Sequence, residues 1–186
     1  DLVLAMRELS PWSAGDSRSA PFQSLPFCVP EQPAPARVAL LNGLGDAPVD
    51  ADSADAADAS WQALSRLGHV PVVLGPAQRA MLVQAMAEIN DVAWPVVSGS
   101  GLAWLMSTHH AGREQALSPP LAAMLEQGRQ RSGAELMGAL AAVTRLRDVL
   151  SLLMQDIDCL LLPSAAAQPW PAREPYPASI DGQPAG

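Results

Sequence analysis

Three groups of side chains in this sequence have the types and spacing that chemistry requires. Asp156 and Asp158 flank the entrance to an apolar run, where two carboxylates can hold a cationic group or act as general acid and general base. Residues 98–101, with the sequence SGSG, combine serine hydroxyls with glycines, as the loop around a serine nucleophile does. His109 and His110 are adjacent histidines, a residue type that binds metals and transfers protons near neutral pH. Each group also has a purely structural explanation.

A structural role is favoured for the two aspartates. Acidic residues beside a strand often accept hydrogen bonds from backbone amides or pair with a nearby cation. Arg145 and Arg147, in the helical segment that precedes Asp156, are the obvious partners. We therefore expect backbone contacts or salt bridges at Asp156 and Asp158, with acid–base chemistry as the alternative.

The serine-rich cluster does not match a nucleophile loop. The hydrolase elbow needs glycine two positions before and two positions after its serine, and Ser98 occupies the first of these places relative to Ser100. The sequence also contains no lysine, so no lysine amine is present to activate either hydroxyl. We interpret the two glycines as a break or kink in a helix.

No metal site is expected from the histidines. Side chains of adjacent helical residues point about 100° apart, so His109 and His110 cannot bind one ion together as an i, i+4 pair can. No cluster of cysteines or acids lies near them at ligand spacing. We expect both histidines at the surface, and a structural role for His69 at the entrance of a strand.

No cofactor is expected either. Gly43 and Gly45 follow an apolar run, as the glycines of a dinucleotide-binding loop do. Pro48, however, stands where that fingerprint requires a third glycine. A plain turn accounts for the two glycines.

Charge and cysteine content restrict the partners and the compartment. The 186 residues carry a formal net charge of −8, and all 11 basic residues are arginines without a basic stripe, which disfavours nucleic-acid binding. No run of about 18 apolar residues is present, so no membrane-spanning helix is expected. Cys28 and Cys159 form no disulfide framework, which favours a reducing, cytoplasmic location.

The hydrophobic pattern predicts a β–α–β unit early in the chain. Residues 37–41 and 70–74 have the composition of strands, and Pro71 places the second strand at a sheet edge or at its own start. Between them, residues 51–67 form an amphipathic helix pattern with Asp50 as its N-cap. A helix between two strands implies that the strands pair in parallel.

Further helices are predicted at residues 78–94, 119–127 and 134–155, with Pro95 ending the first and Gly128 the second. The last helix leads into residues 159–162, an apolar run typical of a strand that is buried on both faces. The predicted fold class is therefore α/β, with part of a mixed β-sheet flanked by helices and with helices outweighing strands.

Two segments are distinguished along the chain. Residues 1–36 are interpreted as the tail of a helix followed by a Pro-rich connection, and residues 37–186 as the α/β portion of a single larger domain. Helical spacing begins at the first residues without a preceding cap, and the last residues have the composition of a loop. Truncation at both ends is therefore expected.

Three stretches, taken in order, resemble the amidase signature hydrolases. The first is DLVLA at residues 1–5, which is similar to the helix just after that family's signature region. The second runs from RVAL at residues 37–40 through GDAPVD at residues 45–50. The third and most specific runs from LSP at residues 117–119 into DCLLLPS at residues 158–164. The order of the stretches carries the resemblance, because no single one is diagnostic.

This resemblance implies an amidase-signature-like fold and hydrolysis of carboxamide bonds by a serine nucleophile, a bridging serine and a lysine, with backbone amides holding the oxyanion. The resemblance also places those groups upstream of residue 1, so no catalytic residue is assigned here. Pro163, Ser164 and Trp170, at the carboxyl end of the last strand, are expected to border the acyl-group pocket. A buried turn is the alternative role for these three residues.

The leading hypothesis is a fragment of an amidase-type hydrolase that lacks the catalytic residues and is inactive alone. Its full-length parent would act on a small-molecule amide. The alternatives are a non-catalytic small-molecule-binding α/β domain and an interaction subunit. A fragment would expose apolar surface, so self-association is expected.

Overall fold

The computed structural model describes residues 2–9, 12–17, 19, 34–174 and 176–185. The chain divides into two compact units, Asp1–Pro35 and Ala36–Gly186. The first unit contains helix α1, Leu2–Leu9, which has no buried residue. Most of the expected Pro-rich connection, including Cys28, lies outside the described residues.

Three parallel strands form the sheet of the second unit. They are β1 (Arg37–Leu40), β2 (Val70–Val72) and β3 (Cys159–Leu161), in the order β2-β1-β3. Helix α2, Ala51–Arg66, connects β1 to β2. The predicted parallel β–α–β unit is thus confirmed, and β2, with its proline, lies at an edge.

Strand β3 differs from its prediction. The apolar run was expected to be buried on both faces, but Cys159 is exposed and the next two leucines are only partly buried. Within the part of the chain that the structure describes, β3 pairs with β1 alone and is therefore an edge strand. Strand β1 takes the central position instead, and its Val38 and Ala39 are buried.

Four more helices complete the described second unit. They are α3 (Pro76–Glu88), α4 (Trp94–His109), α5 (Pro119–Gln130) and α6 (Gly133–Leu153). A π-helical turn, Ile89–Ala93, joins α3 to α4, and a short 3-10 turn, Glu114–Ala116, precedes α5. A small antiparallel hairpin of β4 (Ser179–Ile180) and β5 (Gln183–Pro184) follows the sheet. None of the described helices is both long and apolar enough to cross a membrane.

Two of the predicted helix ends are wrong. Pro95 does not stop a helix; it lies in the first turn of α4, where a residue without an N–H donor is tolerated. Gly128 lies inside α5 and does not end it. The SGSG segment lies inside α4 rather than at a break.

Two of these glycines, Gly99 and Gly128, lie where two helices pack against each other. Gly99 on α4 and Gly128 on α5 are both buried, and their backbones lie against each other. A Cβ atom added to Gly99 would lie 3.2 Å from the Cα of Gly128, and one added to Gly128 would overlap the carbonyl oxygen of Gly99. Only a pair of glycines allows the two helices to approach this closely.

The core lies between the sheet and the helices α3 and α6. Its buried members are Ala39, Leu41, Leu74, Leu82, Leu153 and Ile157. A second cluster, made of Ala93, Val96, Ala139 and Ala142, joins α4 to α6. On α2, the Trp61 indole N–H donates to the carbonyl oxygen of Val38 over 2.8 Å. Strand β1 is thus held by both the core and α2.

The glycine contact generates a stability prediction. Gly128→Ala should lower the free energy of unfolding by about 3 kcal/mol, because the added methyl group forces α4 and α5 apart. Gly101→Ala in α4 is the matched control: apart from the local backbone of its own helix, no neighbour lies within 4 Å of the added Cβ, and alanine favours a helix by about 0.5–1 kcal/mol. Urea unfolding followed by circular dichroism measures both. Equal unfolding midpoints for the two variants would contradict the close helix contact.

Candidate functional site

The candidate site lies where β1 and β3 end. Because both strands are parallel neighbours, their carboxyl ends meet at the same edge of the sheet, which is where open α/β sheets bind ligands. The ladder continues past the strands, since the Leu41 amide donates to the carbonyl oxygen of Leu161 over 2.9 Å. The turn after β1 and the segment after β3 therefore leave the sheet side by side.

A cavity of about 330 Å³ lies between α2 and the segment that follows β3. Helix α2 contributes Asp52, Ser53, Ala56, Ala57 and Ser60, and the other wall consists of residues 161–165 and Gln168. This volume is within the range of about 300–1,000 Å³ that small-molecule sites occupy. We call this space the α2 cavity.

A second cavity of about 210 Å³ lies beside it, between the turn after β1 and residues 162–166. We call it the turn cavity. Asn42, in that turn, lines it, and its side-chain Oδ1 atom is buried without a hydrogen-bond partner among the described residues. A buried amide oxygen without a donor is costly, and this marks Asn42 as a candidate polar group of the site.

Asn42 was not among the predicted site residues. It follows a buried strand and precedes a glycine turn, and that pattern indicates only a turn. The cavity that it lines is closed by residues 162–166, which lie more than a hundred residues away along the chain. Asparagine beside a strand end is the one local signal that was available.

The structure brings two of the three expected pocket residues together. Pro163 and Ser164 line both cavities. Trp170 lines neither of them; the residue is 43% exposed, and its indole N–H donates to the carbonyl oxygen of Glu174 over 3.0 Å. The substrate-binding roles of all three residues stay predictions.

Asp50 connects the start of α2 to the segment that follows β3. It occupies the N-cap position as predicted, but its side chain makes no capping bond to the helix. The carboxylate instead accepts hydrogen bonds from the backbone amides of Gln168, at 2.7 Å, and Asp181, at 2.6 Å. The amide of Asp181 and then that of Gln168 are the largest causes that lower the pKa of Asp50 below 3.8.

Asp158 has the structural role that the sequence analysis favoured, but with a different partner. Its carboxylate accepts from the Arg37 guanidinium at 3.0 and 3.2 Å and from the Arg37 backbone amide at 2.8 Å. These bonds lower the pKa of Asp158 and raise that of Arg37, with the side-chain hydrogen bond as the largest cause in both cases. Arg145, one of the expected partners, pairs with Glu88.

The remaining candidate groups are also engaged in structural contacts. Asp156 accepts from the side-chain amide of Gln78 over 3.1 Å, and Ser98 donates to the Trp94 carbonyl oxygen over 2.6 Å. His69 Nδ1 accepts from the backbone amide of Ala36 over 3.1 Å, in line with a structural role.

The expected exposure of His109 and His110 is confirmed. The ring of His109 packs edge-on against Trp104, with the ring centroids 5.5 Å apart. The two histidines lie at the end of α4, and neither lines the α2 cavity or the turn cavity.

The side chains that line the two cavities are suited to binding. The described lining residues offer serine hydroxyls, the Asn42 and Gln168 amides and the Asp52 carboxylate, but no histidine or lysine to take a proton from a hydroxyl. Among the described residues, no group of three His, Cys, Asp or Glu side chains could hold a metal ion. The arrangement can orient a small polar ligand by hydrogen bonds.

A parallel sheet flanked by helices, with cavities at its carboxyl edge, defines an α/β protein. A family model described as Amidase matches residues 1–184. The chain therefore belongs to the amidase family, as the resemblance of its sequence implied.

Among solved structures, the chain is similar to a bacterial aryl acylamidase that belongs to the amidase signature enzymes. The TM-score is 0.64, the sequence identity is 18%, and the match covers 98% of this chain but 39% of that one. This likeness confirms the predicted α/β fold class. No curated protein matches the chain.

The Arg37–Asp158 contact predicts a pH-dependent stability. A carboxyl group whose pKa is lowered by folding contributes stability above its ordinary pKa of 3.8, and that contribution is lost as the pH falls through the lower folded value. Asp158→Asn should therefore lower the urea midpoint of unfolding at neutral pH. The gap between the midpoints of the variant and the wild type should shrink below pH 3.8. Asp148→Asn, on the exposed side of α6, is the control. A difference that stays constant with pH would contradict the assignment.

Proposed function

We propose that the chain is part of an amidase-type hydrolase that acts on carboxamide carbon–nitrogen bonds. In this proposal its residues supply scaffold and one wall of the acyl-group pocket, and the catalytic serine pair and lysine lie outside these 186 residues. The observation that carries the proposal is an Amidase match over residues 1–184 of a sequence that contains no lysine. The 39% coverage of the solved relative supports it.

The two cavities suit part of a carboxamide site. Ser164 lines both, and its hydroxyl can donate to an amide carbonyl. Asn42 lines the turn cavity, and its side-chain amide carries both a donor and an acceptor for a carboxamide group. Apolar walls from Leu162 and Pro163 suit the acyl chain. The substrate proposed is therefore a neutral small-molecule amide.

Exposed apolar side chains support the proposal that the chain packs against more protein, including copies of itself. Trp94, Trp104, Met137 and Leu152 are each more than half exposed. Side chains of this size and number on the surface favour association.

The exposed, free Cys159 supports a reducing, cytoplasmic location.

Activity of the chain alone tests the proposal. Residues 1–186 should release no ammonia from acetamide or benzamide above the buffer rate, because neither cavity contains the lysine that activates the serine pair in the proposed mechanism. A full-length amidase that contains this segment should release ammonia from at least one of these amides. Hydrolysis by the 186-residue chain that survives replacement of Ser98, Ser100 and Ser164 by alanine would contradict the proposal, as would a full-length protein that hydrolyses no amide.

A substitution in the pocket wall tests the site. In the full-length amidase, Ser164→Phe should raise the KM for benzamide by about tenfold, because the ring fills space that lines both cavities. Ser151→Phe, on the exposed side of α6, is the control and should leave KM unchanged. Trp170→Ala, outside both cavities, should change selectivity only if residues beyond this chain bring it to the substrate. Unchanged KM in Ser164→Phe would place the acyl pocket elsewhere.

A further inference from the structure

We propose that Asp50 is a positioning residue, which fixes the segment after β3 and thereby sets the width of the α2 cavity. The proposal deepens the proposed function, since the cavity is taken as part of the acyl-group pocket. Asp50 itself lines neither cavity, so any effect on a substrate must pass through the residues that it holds.

Three hydrogen bonds from this one residue join the start of α2 to distant parts of the chain. The backbone amide of Asp50 donates to the Ala166 carbonyl oxygen over 2.8 Å. Its Oδ2 atom accepts from the Gln168 amide and its Oδ1 atom from the Asp181 amide. Each carboxylate oxygen thus serves a different segment, one in the cavity wall and one in the turn of the β4–β5 hairpin.

The Asp50 carboxylate accepts hydrogen bonds from these two segments and none from the helix. At an N-cap, the side chain ordinarily accepts from the amide two or three residues later. In α2 the side chain of Asp50 makes no such bond, and the amide of Ser53 bonds to the backbone oxygen of Asp50 over 2.9 Å. The acid still gains from the positive end of the helix dipole, which favours its charged form. Two oxygens are therefore available as acceptors.

Gln168 links this anchor to the cavity. Its backbone amide is held by Asp50, and its side chain lines the α2 cavity opposite α2, with Nε2 3.5 Å from the Ser53 hydroxyl. Helix α2 and Gln168 are thus two walls of one space, and Asp50 fixes the distance between them. Without the carboxylate, the wall on the Gln168 side keeps the Ala166 bond and the long contact between Gln168 Nε2 and the Ser53 hydroxyl at this helix end.

Graded variants measure the anchor directly. Asp50→Ala removes both acceptors, whereas Asp50→Asn keeps one oxygen and should hold one of the two amides. Hydrogen exchange by NMR should speed up about tenfold or more at Gln168 and Asp181 in Asp50→Ala, and at one of them in Asp50→Asn. Asp55→Asn, on the exposed side of the same helix, removes an equal charge and should leave both rates unchanged. Unchanged rates in Asp50→Ala would overturn the proposal.

Kinetics then separate positioning from simple stability. In the full-length amidase, Asp50→Ala should raise the KM for benzamide about fivefold and leave kcat for acetamide within about twofold of the wild type. Asp50→Asn should have a benzamide KM between those of the wild type and Asp50→Ala. An equal loss of kcat for both amides, or no change in either KM, would show that Asp50 only tethers the loop and would overturn the positioning role. If the wild-type protein hydrolyses neither amide, the proposed function fails, whereas the exchange rates still decide whether Asp50 holds the wall.

Discussion

The contact between Arg37 and Asp158 fixes how β1 and β3 lie against each other, and the site depends on that register. The guanidinium holds both carboxylate oxygens, and the Asp158 amide donates to the Arg37 carbonyl oxygen over 2.8 Å. From there the ladder pairs Val38 with Cys159. A slip by one residue would exchange the inward and outward side chains of a strand. The two turns that enclose the cavities would then no longer meet.

Two of the acids near the site serve as anchors for backbone amides. Asp158 holds the entrance of β3, and Asp50 holds the segment beyond its exit. Both are ionised across the neutral range, because hydrogen bonds to the charged form lower their pKa. In this structure both carboxylates therefore hold backbone segments that border the cavities.

Sequence reasoning succeeded where the signal was local and failed where it was not. Local patterns predicted strands β1 and β2 and the helix between them. The strands have a strand-like composition, the helix has an amphipathic pattern, and Pro71 places β2 at an edge or at its own start. The glycines at positions 99 and 128 were misinterpreted, because a glycine that ends a helix and a glycine that touches a second helix look alike in a sequence. The partner of Asp158 was missed for a related reason: Arg37 is 121 residues away, and nearby arginines were the natural choice.

The sequence by itself determined the family and the class of fold, since these depend on residue order and periodicity, and it predicted a candidate site after the last parallel strand. Tertiary structure decided which strand is central, and that Pro163 and Ser164 line two cavities while Trp170 lines neither. It also buried an oxygen of Asn42 that has no donor among the residues that the structure describes. These features arise from contacts between segments far apart in the chain. The energy of each contact depends on the distance between its atoms and on how deeply they are buried, and no local sequence pattern encodes either quantity.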